Sequence, residues 1–376
     1  MKKKEHNARI QDLVGLINAL YPPAYAEEWD NVGLQVGDPA AEVRRVLVCL
    51  DAGAPALDAA LAAGAEAVIA HHPLVFQPLK NVVPAGETGR LLYRAIREGI
   101  AVLAVHTNLD RAPEGLNHWL AGILGLPQAA PLVSDVTDLV KLAVFVPTGY
   151  EEEVATALFA AGAGRVGNYD RCSFRTSGTG TFRPGPGTNP FLGREGETES
   201  AREVRLETVL PRAAVGRALE KLVKAHPYEE VACDLIPLEN RREDMGLGRI
   251  GRLPEATTLG KFAERVKVAL ETPTVRVVGA PESRVAKVAL CGGSGASVIG
   301  EAVRQGADVL VTGDIKYHEA RKAESHGLGV IDAGHFYTER LMIPGLAAAL
   351  RQEAQGRGLT IEFIEMKGEH DPFTTV

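Results

Sequence analysis

The chain has 376 residues, 45% hydrophobic and 24% charged, with 41 basic against 48 acidic residues for a formal net charge of -7. This composition excludes disorder as the default state and offers no long basic run to a nucleic-acid backbone, while the length points to two or three domains. Four scattered cysteines, Cys49, Cys172, Cys233 and Cys291, argue against a disulfide scaffold or thiolate zinc site and fit a reducing cytoplasm, and no apolar run reaches the ~18 residues of a membrane span.

The first predicted element is an amphipathic helix. Ile10, Leu13, Val14, Ile17 and Leu20 fall on one face, and no cleavage site follows them, so the segment is not read as a signal peptide. Short β-branched runs then recur, each followed by an alanine-rich helical stretch: "RRVLVCLDAG", "AEAVIAHHP" and "GIAVLAVHTNLD". After an intervening region come "AKVALCGGSG", "ADVLVTGD" and "LGVIDAGH". Alternation of this kind predicts an α/β fold with mainly parallel sheets, arranged as two related α/β/α layered halves forming one core, residues 1–134 and 246–376.

Residues 135–245 read differently. "DLVKLAVFVPTGYEEEVATALFAAGAG" gives strand then helix, "AREVRLETVLPRAAVGRALEKLVKAHPYEE" repeats the pair, and "VACDLIPLEN" closes with a strand. This order predicts an inserted ferredoxin-like (α+β) domain. Its middle, Thr176 to Ser200, is dense in Gly, Pro, Ser and Thr, and is expected to be a long mobile loop.

The residues able to carry chemistry share one position. His71 and His72, Asp110, Asp314 and His335 all follow the carboxyl end of a predicted strand, where open α/β sheets form ligand crevices. His335 and Glu339 stand four apart at the start of a predicted helix and project from one face. Three imidazoles and two carboxylates are too many for one tetrahedral ion with an open position and suit two ions ~3.5 to 4 Å apart. Adjacent histidines pointing apart can then serve one ion each. A nitrogen-rich set favours two divalent transition-metal ions per chain, zinc, iron or manganese, over calcium.

His106, four residues before Asp110, is a candidate further ligand, orienting group or proton carrier, and Asp314 is a second candidate for proton transfer. The turn in "CGGSG" could offer backbone N–H groups to an anion or simply pack tightly, and "TGDIKYHEA" could act near the crevice or cap a helix. His118, His226, His318, His326 and His370 are read as structural.

Taken together, "EEWDNVGLQVGDP", "AHHPLVF", "HTNLD", "CGGSG", "TGDIKYHEA" and "DAGHFYTE" resemble the Nif-three-like dinuclear metal-binding family, the GTP cyclohydrolase I type 2 homologues, in family order and across both α/β parts. The resemblance places the metal ligands on His71, His72, Asp110, His335 and Glu339. "VKLAVFVPTGYEEEV" and "AHPYEEVACDLIPLEN" resemble the PII-like insert of the long bacterial form. It further implies a ring of six subunits with the metal sites facing inward. The expected function is that of a cytoplasmic metal-dependent hydrolase acting on a small molecule, with nucleotides among the candidates and no nucleic-acid or membrane partner. The alternative is a non-enzymatic metal-binding regulatory or metal-handling assembly.

Overall fold

The computed structural model describes residues 8–134 and 137–374. The chain divides into two compact units, Met1–Ser134 with Glu243–Val376, and Asp135–Arg242.

The first unit opens with α1 (Ile10–Leu20), which buries Ile10, Leu13, Leu16 and Ile17. Next come β1 (Gly33–Val36), β2 (Arg45–Asp51), α2 (Ala54–Ala63), β3 (Ala67–His72), α3 (Glu87–Glu98) and β4 (Ala101–Ala104). Strands β2, β3 and β4 pair in parallel, and β1 adds to β4 in the antiparallel sense. Their interior residues are apolar without alternation because both sheet faces are covered. Val46, Val48 and Leu50 pack towards α1, whereas Leu47 and Cys49 pack with Leu57 of α2 and Leu92 of α3. Helices α2 and α3 each stop at a glycine in the left-handed region, Gly64 and Gly99. The chain continues through α4 (Thr107–Arg111), α5 (Leu116–Ile123) and β5 (Ala130–Val133).

The second unit contains β6 (Leu139–Pro147), α6 (Glu151–Phe159), β7 (Phe174–Phe182), β8 (Glu199–Pro211), α7 (Val215–Ala225) and β9 (Cys233–Pro237). Its sheet has the order β7-β8-β6-β9 with every neighbour antiparallel. Leu142, Val144 and Leu206 of the sheet meet Val154 and Leu158 of α6 and Leu222 of α7 in one core. The loop expected over Thr176 to Ser200 begins as a strand instead. Residues through Phe182 pair with β8, from Phe174 opposite Glu207 to Phe182 opposite Glu199. A hairpin partner supplies the backbone hydrogen bonds that a Gly-rich composition argues against, and Thr176, Thr179 and Thr181 are residues that suit a pleated strand.

Returning to the first unit, the chain forms β10 (Leu247–Thr258), α8 (Leu259–Ala269), β11 (Arg276–Val278) and β12 (Arg284–Ser294). It then runs through α9 (Ile299–Arg304), β13 (Val309–Gly313), α10 (Tyr317–Ser325), β14 (Gly329–Asp332), α11 (His335–Glu339), α12 (Met342–Arg357) and β15 (Glu362–Glu365). The second sheet runs β11-β14-β13-β12-β10-β5. Only its centre, β12 to β14, is parallel, joined by the crossover helices α9 and α10; β5, β10 and β11 are antiparallel. That sheet is therefore mixed where a mainly parallel one was expected. Strand β15 returns to the first sheet, in parallel beside β2. No described helix is long and apolar enough to cross a membrane.

Candidate metal centre

The carboxyl ends of β3, β4 and β14 bring together residues distant in the chain. His71 and His72 end β3, His106 precedes α4, Asp110 lies on α4, and His335 and Glu339 begin and end α11. A ligand nitrogen of each of His71, His72 and His106 lies within 4.8 Å of the other two, and the ligand atoms of His72, His335 and Glu339 form a second such group.

The neighbouring histidines address different oxygens of one carboxylate. Nε2 of His71 lies 3.8 Å from Oε1 of Glu339, while Nε2 of His72 lies 3.0 Å and Nε2 of His335 2.9 Å from Oε2. The His72 and His335 Nε2 atoms are 3.3 Å apart. A tetrahedral ion with bonds near 2.1 Å holds its ligand atoms ~3.4 Å apart, so these spacings match a shared ion. Glu339 reaches between the rings because position 293 carries no side chain. Gly293 has φ +60, and a Cβ there would stand 2.0 Å from Oε1 of Glu339.

One pair of atoms tests directly whether a cation fits. His71 is fully buried, and its Nδ1 donates to the Val105 carbonyl at 2.8 Å, which leaves Nε2 as an acceptor. That Nε2 and Oδ1 of Asp110, 3.6 Å away, are buried without a hydrogen-bond partner. Two facing buried polar atoms without a partner are costly in a protein interior, and a cation between them would satisfy both.

The other imidazoles are held by carboxylates. Nδ1 of His72 donates to Asp51 at 2.8 Å, Nδ1 of His335 to Asp314 at 2.7 Å, and Nδ1 of His106 to Asp30 at 2.9 Å. Each fixes the ring so that Nε2 points onward, the arrangement that orients metal-binding histidines. Asp314 adopts φ +57, an uncommon conformation for a residue with a Cβ, in making its contact. Burial works against the charged His72 ring, but its bonds to Asp51 and Glu339 prevail and raise its pKa to about 10. His335 is raised to about 9, chiefly by its bond to Glu339. Burial lifts the Asp110 carboxyl to about 7. Burial would also lift Glu339, yet the surrounding imidazoles hold it well below the usual carboxylate range. Without metal, then, protons on His72 and His335 stand where cations would neutralise Glu339.

These residues lie in a chain with clear relatives. The model of the family described as Duf34/NIF3 (NGG1p interacting factor 3) matches residues 8–372. The chain belongs to the Duf34/NIF3 family. Proteins named GTP cyclohydrolase 1 type 2 homolog from Halalkalibacterium halodurans and Bacillus subtilis are 40% and 42% identical to it. The first alignment covers 98% of this chain and 99% of the relative, the second 97% and 98%. A solved Bacillus cereus protein related to NIF3 superposes with a TM-score of 0.90 at 40% identity, covering 99% of this chain and all of that one.

In this Duf34/NIF3 protein the "CGGSG" turn is occupied by its own fold. Gly292 N–H donates to Asn117, Gly293 N–H to Thr338 and Gly295 N–H to Thr312, at 2.9 Å each. These N–H groups are therefore spent on packing rather than free to cradle an anion. Lys316 N–H is capped by Glu319 at 2.7 Å, the helix-start reading of "TGDIKYHEA". Asp314 backs His335. His226 bridges the Phe145 carbonyl and the Tyr228 N–H, and His326 bonds the Lys322 carbonyl. Cys49 and Cys291 are buried, Cys172 and Cys233 half-buried, and all four are free thiols.

Sequence reasoning missed Asp30, Asp51 and Glu369. Both oxygens of Glu369 accept the Leu50 N–H, at 3.0 and 3.1 Å, and Oε1 also accepts that of Asp51 at 3.1 Å, pinning the end of β2 beside His72. Asp51 carried a signal, since it too ends a predicted strand. Asp30 lies within the motif "EEWDNVGLQVGDP" but nothing local assigns it a role, and Glu369 carried no signal.

Proposed function

We propose that this Duf34/NIF3 protein holds two divalent transition-metal ions and is a metal-dependent hydrolase of a small molecule. The observation that carries the reading is the buried, unsatisfied pair His71 Nε2 and Asp110 Oδ1 beside a carboxylate whose two oxygens face different imidazoles. His71 and Asp110 with Oε1 of Glu339 would hold one ion, and His72 and His335 with Oε2 the other. Such ions supply Lewis acidity and lower the pKa of water towards neutrality.

The chain's own groups prepare the site for that chemistry. Asp51 and Asp314 fix the tautomers of His72 and His335. Burial of Asp30 is outweighed by its bonds from His106 and Thr107, so its pKa falls to about 2 and it is ionised at neutral pH. His106 is held by Asp30 through Nδ1 and lies within the group of His71 and His72, so its other ring nitrogen would be the one to pass a proton in the reaction. The relatives' printed name supports a hydrolase and leaves the substrate open. In the same reading Asp135–Arg242 is a ferredoxin-like, PII-type insert, supported by its antiparallel 2-3-1-4 strand order with two helices.

Reconstitution with zinc, iron or manganese followed by elemental analysis and turnover assays on nucleotides and phosphoesters tests this function. Fewer than two ions per chain overturns the paired site. Two ions with no turnover above free metal overturns the hydrolase and leaves a metal-handling role.

A further inference from the structure

Beside the cluster stands a feature that folding alone does not explain. Trp29 is 59% exposed and Phe76 49% exposed, although both sit on tightly held backbone. Asp30 accepts hydrogen bonds from His106 Nδ1 and from the N–H and hydroxyl of Thr107, and Glu27 N–H donates to the same hydroxyl at 3.0 Å. Trp29 is thus gripped from both sides by the start of the helix that carries Asp110. On the facing loop, the Gln35 side chain accepts the Val75 N–H at 2.9 Å and donates to the Val75 carbonyl at 3.3 Å, fixing the residue before Phe76.

The two rings meet at 5.8 Å between centroids with a tilt of 59°. Trp29 also meets the His106 ring at 6.0 Å, edge-on at 72°. His106 in turn lies 5.2 Å from His71 and 5.8 Å from His72. A continuous line of rings therefore leads from solvent to the buried acceptors.

We infer that Trp29 and Phe76 form a binding platform for a planar ring of the substrate, which stacks there while its reactive part reaches His106 and the paired carboxylates. The inference rests on the small-molecule reading of the site and adds the substrate's class: a metabolite bearing a flat aromatic or heterocyclic ring. A large indole surface left in water on a rigid backbone is unfavourable unless something covers it, and a ring covers it face to face with little loss of freedom on the protein side. Because the platform ends at His106, its occupant also extends into the cluster. A second copy of this chain packing flat over Trp29 has no part that this geometry draws inward.

Emission of the indoles in the full-length chain reads the platform without any need for turnover. Guanosine monophosphate and uridine monophosphate should quench the emission saturably, whereas ribose 5-phosphate, which has the phosphate and sugar but no base, should not. Trp29→Phe should remove the quenching while leaving metal content unchanged, since the Trp29 ring meets Phe76 and His106 and none of the five proposed ion donors, and Trp119 remains as the reference emission. In equilibrium dialysis Trp29→Ala should weaken binding of the two nucleotides roughly tenfold, the scale of one base–aromatic stack. Equal binding of the ringed and ringless compounds, or nucleotide binding unchanged in Trp29→Ala, overturns the platform. So does an emission maximum that shifts red on dilution, because a second copy then covers Trp29. Ring-dependent binding without hydrolysis would defeat the hydrolase reading and leave the platform standing. Hydrolysis with ring-independent binding would do the reverse.

Discussion

Glu339 is the residue through which the two groups of donors communicate, because one oxygen faces His71 and the other faces His72 and His335. Glu339→Ala should therefore abolish binding of both ions, whereas His71→Ala and His72→Ala should each remove mainly one; metal-to-protein ratios after dialysis separate these outcomes, and equal losses in all three variants would end the bridging assignment. Asp51→Asn should keep the fold and lower metal affinity roughly 10- to 100-fold, since its carboxylate sets the His72 ring. The raised pKa values also fix a sign for the metal-free protein. His72 at about 10 and His335 at about 9 stabilise the fold fully below their unfolded value near 6.5, and that contribution is lost as pH rises to 10. Asp110, at about 7 instead of 3.8, makes the fold lose stability as pH rises across that interval. The melting temperature of metal-free protein should accordingly fall between pH 5 and 9, and a melting curve that rises over this range contradicts the assignment. Metal affinity should climb over the same range, because binding displaces these protons. Residues that end an apolar strand are legible one by one in the sequence. Asp30 and Glu369 are not, because each acts through backbone or imidazole groups far along the chain, and no local pattern marks such a partner.

At the scale of elements, strand β12 and helix α11 fit together only through missing side chains. The Cβ of Gly293→Ala would occupy the space of the Glu339 carboxylate. The variant should fold and lose metal affinity by on the order of tenfold or more, and one that binds metal as the wild type does would show that Glu339 is free to move aside. The parallel centres of both sheets and their crossover helices are legible from apolar runs, because strands buried on both faces leave that mark whatever their neighbours are. The edge strands are harder to read. Strand β11 has three residues and β7 is almost wholly exposed, so neither carries an apolar signal, and pairing with a neighbour is what makes them strands.

For the molecule as a whole, the two stretches of the first unit that flank residues 135–242 in the sequence lie side by side in one sheet, since Val133 of β5 pairs opposite Leu247 of β10. Replacing that unit with a short Gly/Ser link should leave a soluble protein with the same number of bound ions per chain, because every candidate donor lies in the other unit. Circular dichroism melting and elemental analysis check this, and an insoluble or metal-free product contradicts it. The existence of an insert is legible as a break in the strand–helix alternation, whereas the early end of its loop is hidden by composition. The clamp of Glu369 on Leu50 spans 319 positions, and β15 completes the sheet of β2 and β3 from the far end of the same chain. During synthesis β2, β3 and both adjacent histidines emerge long before the segment that steadies them, and before His335 and Glu339 as well. A nascent chain thus carries exposed imidazoles with no finished cage around them, and capture of the proposed ions would have to wait until His335, Glu339 and β15 have emerged as well.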